Sequence, residues 1–176
     1  MDLLNVYVTN LGKYNEMELV GEWLSLPASE EEIQECFKNI GLNEEYEEYF
    51  ITDYVSDVGL KCSEYTNLKN LNEKIQELED ATNGDYDKLK AVIERDYWRE
   101  DQLQEVIDTM ESDEVYFQKG ITAEEYEEEY INECYDLKFM QEGWLSQYIT
   151  IDYKKMAEED DSIYENNEGV LIDGRY

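Results

Sequence analysis

Leu3-Leu4-Asn5-Val6-Tyr7-Val8, followed by Thr9-Asn10-Leu11-Gly12-Lys13-Tyr14-Asn15, decides how the start of the chain is read. The first six residues are mostly apolar or β-prone and predict a strand. The next seven carry Asn and Gly, which suit turn conformations, and predict a loop. A second strand is expected over 19–26, with alternating positions at Leu19, Gly21 and Trp23. Ser29-Glu30-Glu31-Glu32 then opens a helix. Ser29 can cap it, Glu32 stands at the capping-box position, and acids in the first turn complement the helix dipole. Its apolar face is Ile33, Cys36, Phe37 and Ile40, and Gly41 ends it. Residues 48–55 return as a strand through Tyr49-Phe50-Ile51. Strands around one amphipathic helix make residues 1–60 a small α+β domain.

Further along, the periodicity changes. Leu68, Leu71, Ile75 and Leu78 recur at helical spacing until Gly84 interrupts them. Leu89, Val92 and Ile93 mark a second helix, and Leu103, Val106, Ile107 and Met110 a third. Residues 61–112 therefore read as a small helical bundle, with a helix pair expected at Lys69/Glu73. Beyond them, Val115-Tyr116-Phe117 predicts a short strand. Thr122 to about Phe139 predicts a helix with a second capping box at Thr122 and Glu125. Tyr126, Tyr130, Cys134 and Leu137 line one of its faces. Residues 147–157 suit a short helix, although Tyr148-Ile149-Thr150-Ile151 also suits a strand, and Val170-Leu171-Ile172 reads as a terminal strand. The fold class is α+β, in three small domains: α+β over 1–60, helical over 61–112 and α+β over 113–176.

Charge is the dominant property. The 176 residues include 46 acids and 14 bases, for a net charge of −32. Aromatic residues make up 13% of the chain, mostly Tyr, which separates it from aromatic-poor disordered acidic tails. Such a chain repels nucleic acid and anionic membrane, so its natural partner is a basic surface or a set of cations. Duplex DNA carries one charge per roughly 1.7 Å, so the 32 charges match about 54 Å of duplex, on the order of 16 base pairs. Charge alone favours a generically acidic, highly soluble protein.

The distribution adds to this. Residues 1–60 hold 14 acids and 2 bases, 61–112 hold 14 and 7, and 113–176 hold 18 and 5. The acids lie in clusters along the whole chain. Glu30 and Glu31 form one, Glu44, Glu45, Glu47 and Glu48 another, with Asp53 nearby. Glu124, Glu125, Glu127, Glu128 and Glu129 form a third, and Glu158, Glu159, Asp160 and Asp161 a fourth. These sixteen are the candidate target-binding residues. Among them the 124–129 run is the best physical candidate for imitating phosphates, because helix residues three or four apart stand about 5–6 Å apart. An amphipathic helix with an acidic solvent face is the plainer reading of that run, and Tyr126 and Tyr130 read as core.

Other chemistries find little support. The chain has no histidine, which removes His-based nucleophilic catalysis and the commonest metal ligand. A carboxylate pair carries no signal among 46 acids. Asp80-Ala81-Thr82-Asn83-Gly84-Asp85 departs from the EF-hand loop, because Gly84 falls fifth rather than sixth. No phosphate-binding glycine motif occurs. No catalytic residue, metal ligand or cofactor is expected, and the protein reads as a binder rather than an enzyme. Cys36, Cys62 and Cys134 are odd in number and widely spaced, as in a reduced cytoplasmic protein. The N-terminus lacks the pattern of a signal peptide, and no apolar run approaches a membrane span.

Two blocks carry a resemblance. Val6-Tyr7-Val8-Thr9-Asn10-Leu11-Gly12-Lys13-Tyr14-Asn15, Leu19-Val20-Gly21-Glu22-Trp23 and Leu26-Pro27 form the first. Ile40-Gly41-Leu42 with Glu45-Tyr46-Glu47-Glu48-Tyr49-Phe50-Ile51-Thr52-Asp53-Tyr54 forms the second. Together they cover about 50 residues and resemble the start of ArdA antirestriction proteins. Ile151-Asp152-Tyr153 and Met156-Ala157 resemble a C-terminal segment of that family, although Glu158 stands where the family usually has a basic residue. The resemblance implies an elongated, curved homodimer of three-domain chains, joined through the C-terminal regions. It implies an acidic mimic of bent B-form DNA that blocks DNA binding by type I restriction-modification enzymes in a bacterial cytoplasm. A mimic aimed at another DNA-binding or defence protein is the alternative.

Overall fold

The computed structural model describes residues 2–97, 99–137, 144 and 146–174. The chain divides into two compact units, Met1–Glu111 and Ser112–Tyr176. Both are mixed α and β, and the described residues form seven α-helices and two small antiparallel sheets.

The first unit begins with β1 (Leu4–Asn10), α1 (Leu11–Asn15), β2 (Gly21–Leu26), α2 (Glu30–Asn39) and β3 (Tyr49–Val55). The strands pair in the order β2-β1-β3. Leu4, Val6 and Val8 of β1 and Leu24 and Leu26 of β2 face inward, against Ile33, Cys36 and Ile40 of the α2 region. Both members of the expected capping box at Ser29 and Glu32 are present on α2. Gly41 closes the helix at φ +77°, with Leu42 N–H donating to Phe37 O and Gly41 N–H to Lys38 O. Those two bonds satisfy carbonyls that would otherwise be orphaned, and the positive φ is the reason for glycine.

Two expectations for this region are corrected. The loop expected over 9–15 contains α1, because Asn10 ends β1 and caps a helix at once. Its Oδ1 accepts from Lys13 N at 3.0 Å, while its Nδ2 donates to Ile40 O at 3.1 Å. The second correction concerns β2, where the phase is one residue out. Leu24 and Leu26 are buried, whereas Leu19 is 69% and Trp23 46% exposed. Side chains on a strand alternate strictly, so the parity set by Leu24 and Leu26 turns Trp23 to the opposite face.

The same unit continues with α3 (Leu68–Thr82), α4 (Tyr86–Asp96) and α5 (Leu103–Glu111). Every apolar residue that announced these helices is buried. Asn67 and Asp85 cap α3 and α4, and Asn83 ends α3 in the left-handed conformation. Asn72 bonds Ala28 through both its amide groups and Tyr49 Oη accepts from Leu68 N, which ties the helices to the sheet region. The pair expected at Lys69/Glu73 does not form; Lys74 instead reaches Glu77 and Gln104.

The second unit contains β4 (Val115–Lys119), α6 (Ala123–Cys134), α7 (Tyr153–Glu159), β5 (Ile163–Glu165) and β6 (Gly169–Asp173). The sheet order is β4-β6-β5. Ala123 and Tyr126 of α6 pack on Val170 and Ile172 of the central strand, with Ile121, Tyr130, Ala157 and Ile163 around them. Three outcomes differ from the expectations. α6 stops at Cys134, where Tyr135 turns extended, and its Cys134 is exposed; the expected end at Phe139 lies outside the described residues. Over 147–157 the chain forms a 3-10 turn at Ser146–Tyr148 and then α7, capped by Asp152. Strand β5 was not anticipated. No helix among the described residues is long and apolar enough to cross a membrane.

Candidate functional site

In the first unit the acids concentrate on a loop held against α1. Asn43 organises the loop: its Oδ1 accepts from Glu45 N at 2.8 Å and Tyr46 N at 3.2 Å, and its own N–H donates to Tyr46 O. Leu11 N–H donates to Glu48 O at 3.0 Å. The ring of Tyr46 lies against the bare Cα of Gly12, and Lys13 Nζ stands 5.8 Å from the centre of that ring. Tyr46 Oη donates to Glu16, at 3.0 Å to Oε2. That bond, with the charges of Glu16, Glu45 and Glu18 around it, raises the phenol above its ordinary pKa. The result is a shallow cleft of about 420 Å³ ringed by Glu44, Glu45, Glu47 and Glu48, all exposed. Hydrogen bonds at Asn43, Glu45, Tyr46 and Glu48 hold the loop backbone, so a partner that engages the four carboxylates orders little further main chain.

Elsewhere in this unit, Glu30 and Glu31 stand exposed in the first turn of α2, where Glu30 accepts from Gln34. Asp53 is exposed on β3, with Oδ1 accepting from Tyr54 N. Unit Met1–Glu111 contains 28 acids and 9 bases, for −19.

The second unit holds 18 acids and 5 bases, for −13. Its α6 brings Glu124, Glu125, Glu128 and Glu129 to the surface. Glu125, Glu128 and Glu129, joined by Glu133, line a cleft of about 730 Å³ with Gln118 and Lys119. Glu125 is partly committed: its carboxylate accepts from Thr122 N and Oγ1, which holds its pKa below the usual glutamate range. Glu124 shares a second cleft, of about 410 Å³, with Glu158, Glu165 and Lys154. Glu124, Glu128 and Glu129 take part in no ion pair among the described residues.

The remaining candidates differ in quality. Glu127, expected on the acidic face, is 0% exposed. It lies on the same side of α6 as Tyr126 and Tyr130, so helical phase removes it from the surface set. Asp160 is half-buried and accepts from Ser162 N and Oγ, which makes it a turn residue. Glu158 and Glu159 are exposed but are approached by Lys154 at 4.0 Å and Lys155 at 3.6 Å. Asp161 is exposed. Fourteen of the sixteen expected acids therefore stand exposed. Sequence reading missed Glu16, Glu133 and Glu165, and the role of Tyr46. A tyrosine flanked by acids on both sides was the available signal for Tyr46.

Among the described residues no group of three or more acids or cysteines is placed to hold a metal ion. The arrangement can present dispersed negative charge. The family model for the antirestriction protein ArdA matches residues 6–172. The chain belongs to the ArdA family. No curated protein matches the chain closely enough to add a nearer relative. The ArdA match runs through both units and includes both the acidic loop and the α6 face. ArdA is a family of antirestriction proteins.

Proposed function

We propose that this ArdA-family protein is a mimic of B-form DNA that occupies the DNA-binding groove of a type I restriction-modification enzyme. Exposed carboxylates spread over both units are the observation that carries the reading. A groove that holds phosphates with Lys and Arg offers the complementary charge. The acids take those contacts, and a preorganised frame keeps the cost of association low. On this reading the chain acts as a homodimer joined through its C-terminal segments in the cytoplasm of a bacterial host. We further propose that segments 1–60, 61–112 and 113–176 act as three domains, each presenting part of the acidic surface. No cofactor, nucleic acid or membrane takes part.

The test is a titration of a type I methyltransferase core bound to labelled duplex, at low and moderate salt. Stoichiometric displacement that weakens as salt rises supports the reading, because screening at about 0.15 M shortens the reach of charge to about 8 Å. No displacement at any salt removes this enzyme class as the target and directs the search to other DNA-binding defence proteins.

A further inference from the structure

The face of the first sheet turned away from α2 carries a row that charge mimicry alone does not require. Trp23 of β2 stands directly across from Tyr7 of β1, and Tyr7 directly across from Asp53 of β3. In antiparallel pairing, residues directly opposite share a face with Cβ atoms about 4.5–5.5 Å apart. The row is therefore indole, phenol, carboxylate. The aromatic pair is held in place, and the pairing of β1 with β3 shifts register just beyond Asp53, between Tyr7 and Val8. Tyr7 Oη donates to Gly21 O at 3.0 Å, and a Cβ on Gly21 would stand 2.6 Å from Tyr7 Cε1. The Tyr7 and Trp23 rings meet edge to face with centroids 5.2 Å apart. Such a pair leaves the faces of the edge-on ring uncovered by its neighbour. Trp23 is 46% exposed, although burying an indole is among the larger apolar gains open to a fold. The three strands contain no lysine or arginine, and the unit around them carries −19.

We infer that Trp23, Tyr7 and Asp53 form a slot for an arginine side chain of the basic partner. A guanidinium stacks on an aromatic face while its N–H fork reaches a carboxylate, which a lysine ammonium cannot do in one plane. The slot would add a directional contact to a surface otherwise built on dispersed charge. The inference rests on the mimic reading for the identity of the partner, but not for its test.

The test follows the Trp23 indole N–H by nuclear magnetic resonance in the full chain, assigned with Trp23→Phe. The probes are acetyl-Gly-Arg-Gly-amide and its lysine and citrulline counterparts, at millimolar concentration. The arginine peptide is expected to shift the Trp23 signal in a saturable way, the lysine peptide less, and the neutral citrulline peptide not at all. Asp53→Asn, read at the Trp23 signal, and Trp23→Leu, which keeps apolar bulk and is read at the backbone amide of Tyr7, should each weaken the arginine peptide about two- to five-fold, as expected for an exposed cation–π or carboxylate contact. Equal responses to arginine and citrulline, or no shift at Trp23, would overturn the slot. Displacement of DNA from the methyltransferase core is read separately. Displacement without a Trp23 shift sinks the slot and leaves the mimic standing; a Trp23 shift without displacement leaves the slot standing and removes the type I enzyme as the source of its arginine.

Discussion

The Cα of Gly12 and the ring of Tyr46 are in direct contact, so closely that a methyl group on Gly12 would overlap Tyr46 Cδ1. This contact joins the helix after β1 to the loop that carries Glu44, Glu45, Glu47 and Glu48.

Gly12→Ala is expected to lower stability and weaken inhibition together. Alanine favours a helix over glycine by up to about 1 kcal/mol, which works in the variant's favour. Overpacking costs about 1–3 kcal/mol. The clash should win by about 1 kcal/mol, seen as a lower thermal midpoint. Tyr46→Phe keeps the ring and loses only the bond to Glu16, so its effect should be the smaller. An alanine variant as stable as the parent would show that the ring can move aside freely.

Neutralising the acidic loop should act by accumulation. Single Glu→Gln changes at 44, 45, 47 or 48 should weaken target binding by at most about five-fold each, the scale of an exposed charge contact of about 1 kcal/mol or less. The fourfold variant should show a clearly shallower dependence of affinity on salt. If one such substitution abolished inhibition, dispersed charge could not be the mechanism.

The two capping boxes make a statement about pH. Hydrogen bonds from Ser29 lower the pKa of Glu32, and those from Thr122 lower that of Glu125. A carboxyl whose folded pKa is depressed contributes stability above its unfolded value of about 4.3, and loses it as pH falls through the lower folded value. Carboxyl carbon titrations should place both glutamates below the bulk of the others. Ser29→Ala and Thr122→Ala should return each to the common range and cost about 1 kcal/mol of stability.

Cysteine chemistry should separate the thiols. Burial, reinforced by the charge of Glu22, pushes Cys36 up to about 11. At pH 8 it stays a protonated, enclosed thiol, since reactivity follows the thiolate. Iodoacetamide should label exposed Cys134 in the native protein and reach Cys36 only after denaturation, as peptide mapping would report. Early labelling of Cys36 would mean that α2 opens from the sheet.

Much of this was legible in the sequence because it is local. Caps such as Ser29 and Thr122 act within one turn, and the 3.6-residue stripe of Leu68, Leu71, Ile75 and Leu78 needs no partner to be seen. The misreadings are tertiary. Asn10 looked like a turn residue, yet a contact with Ile40 O, thirty positions away, lets it end a strand and start a helix. The parity of β2 was set by Leu24 and Leu26, whereas the larger Trp23 suggested the opposite face. Glu127 sits in a run of glutamates whose members the sequence makes equivalent, and only the phase of α6 against β6 separates it from its neighbours. As a site, the acidic surface was visible as composition; Tyr46, which shapes it, was not.

The two small sheets leave β2 and β3, and β4 and β5, as outer strands. Outer strands invite pairing with other copies, and like charge opposes that approach. The carboxylates therefore have a colloidal task that no partner sets. Removing them in number to map a binding surface also removes what keeps copies apart, so the heavily neutralised variants will be the ones that self-associate. Where the fourfold variant elutes in size-exclusion chromatography is then part of the meaning of its inhibition curve. The tolerance of this fold for charge loss sets a ceiling on how far natural sequences can drift toward neutrality while remaining dispersed.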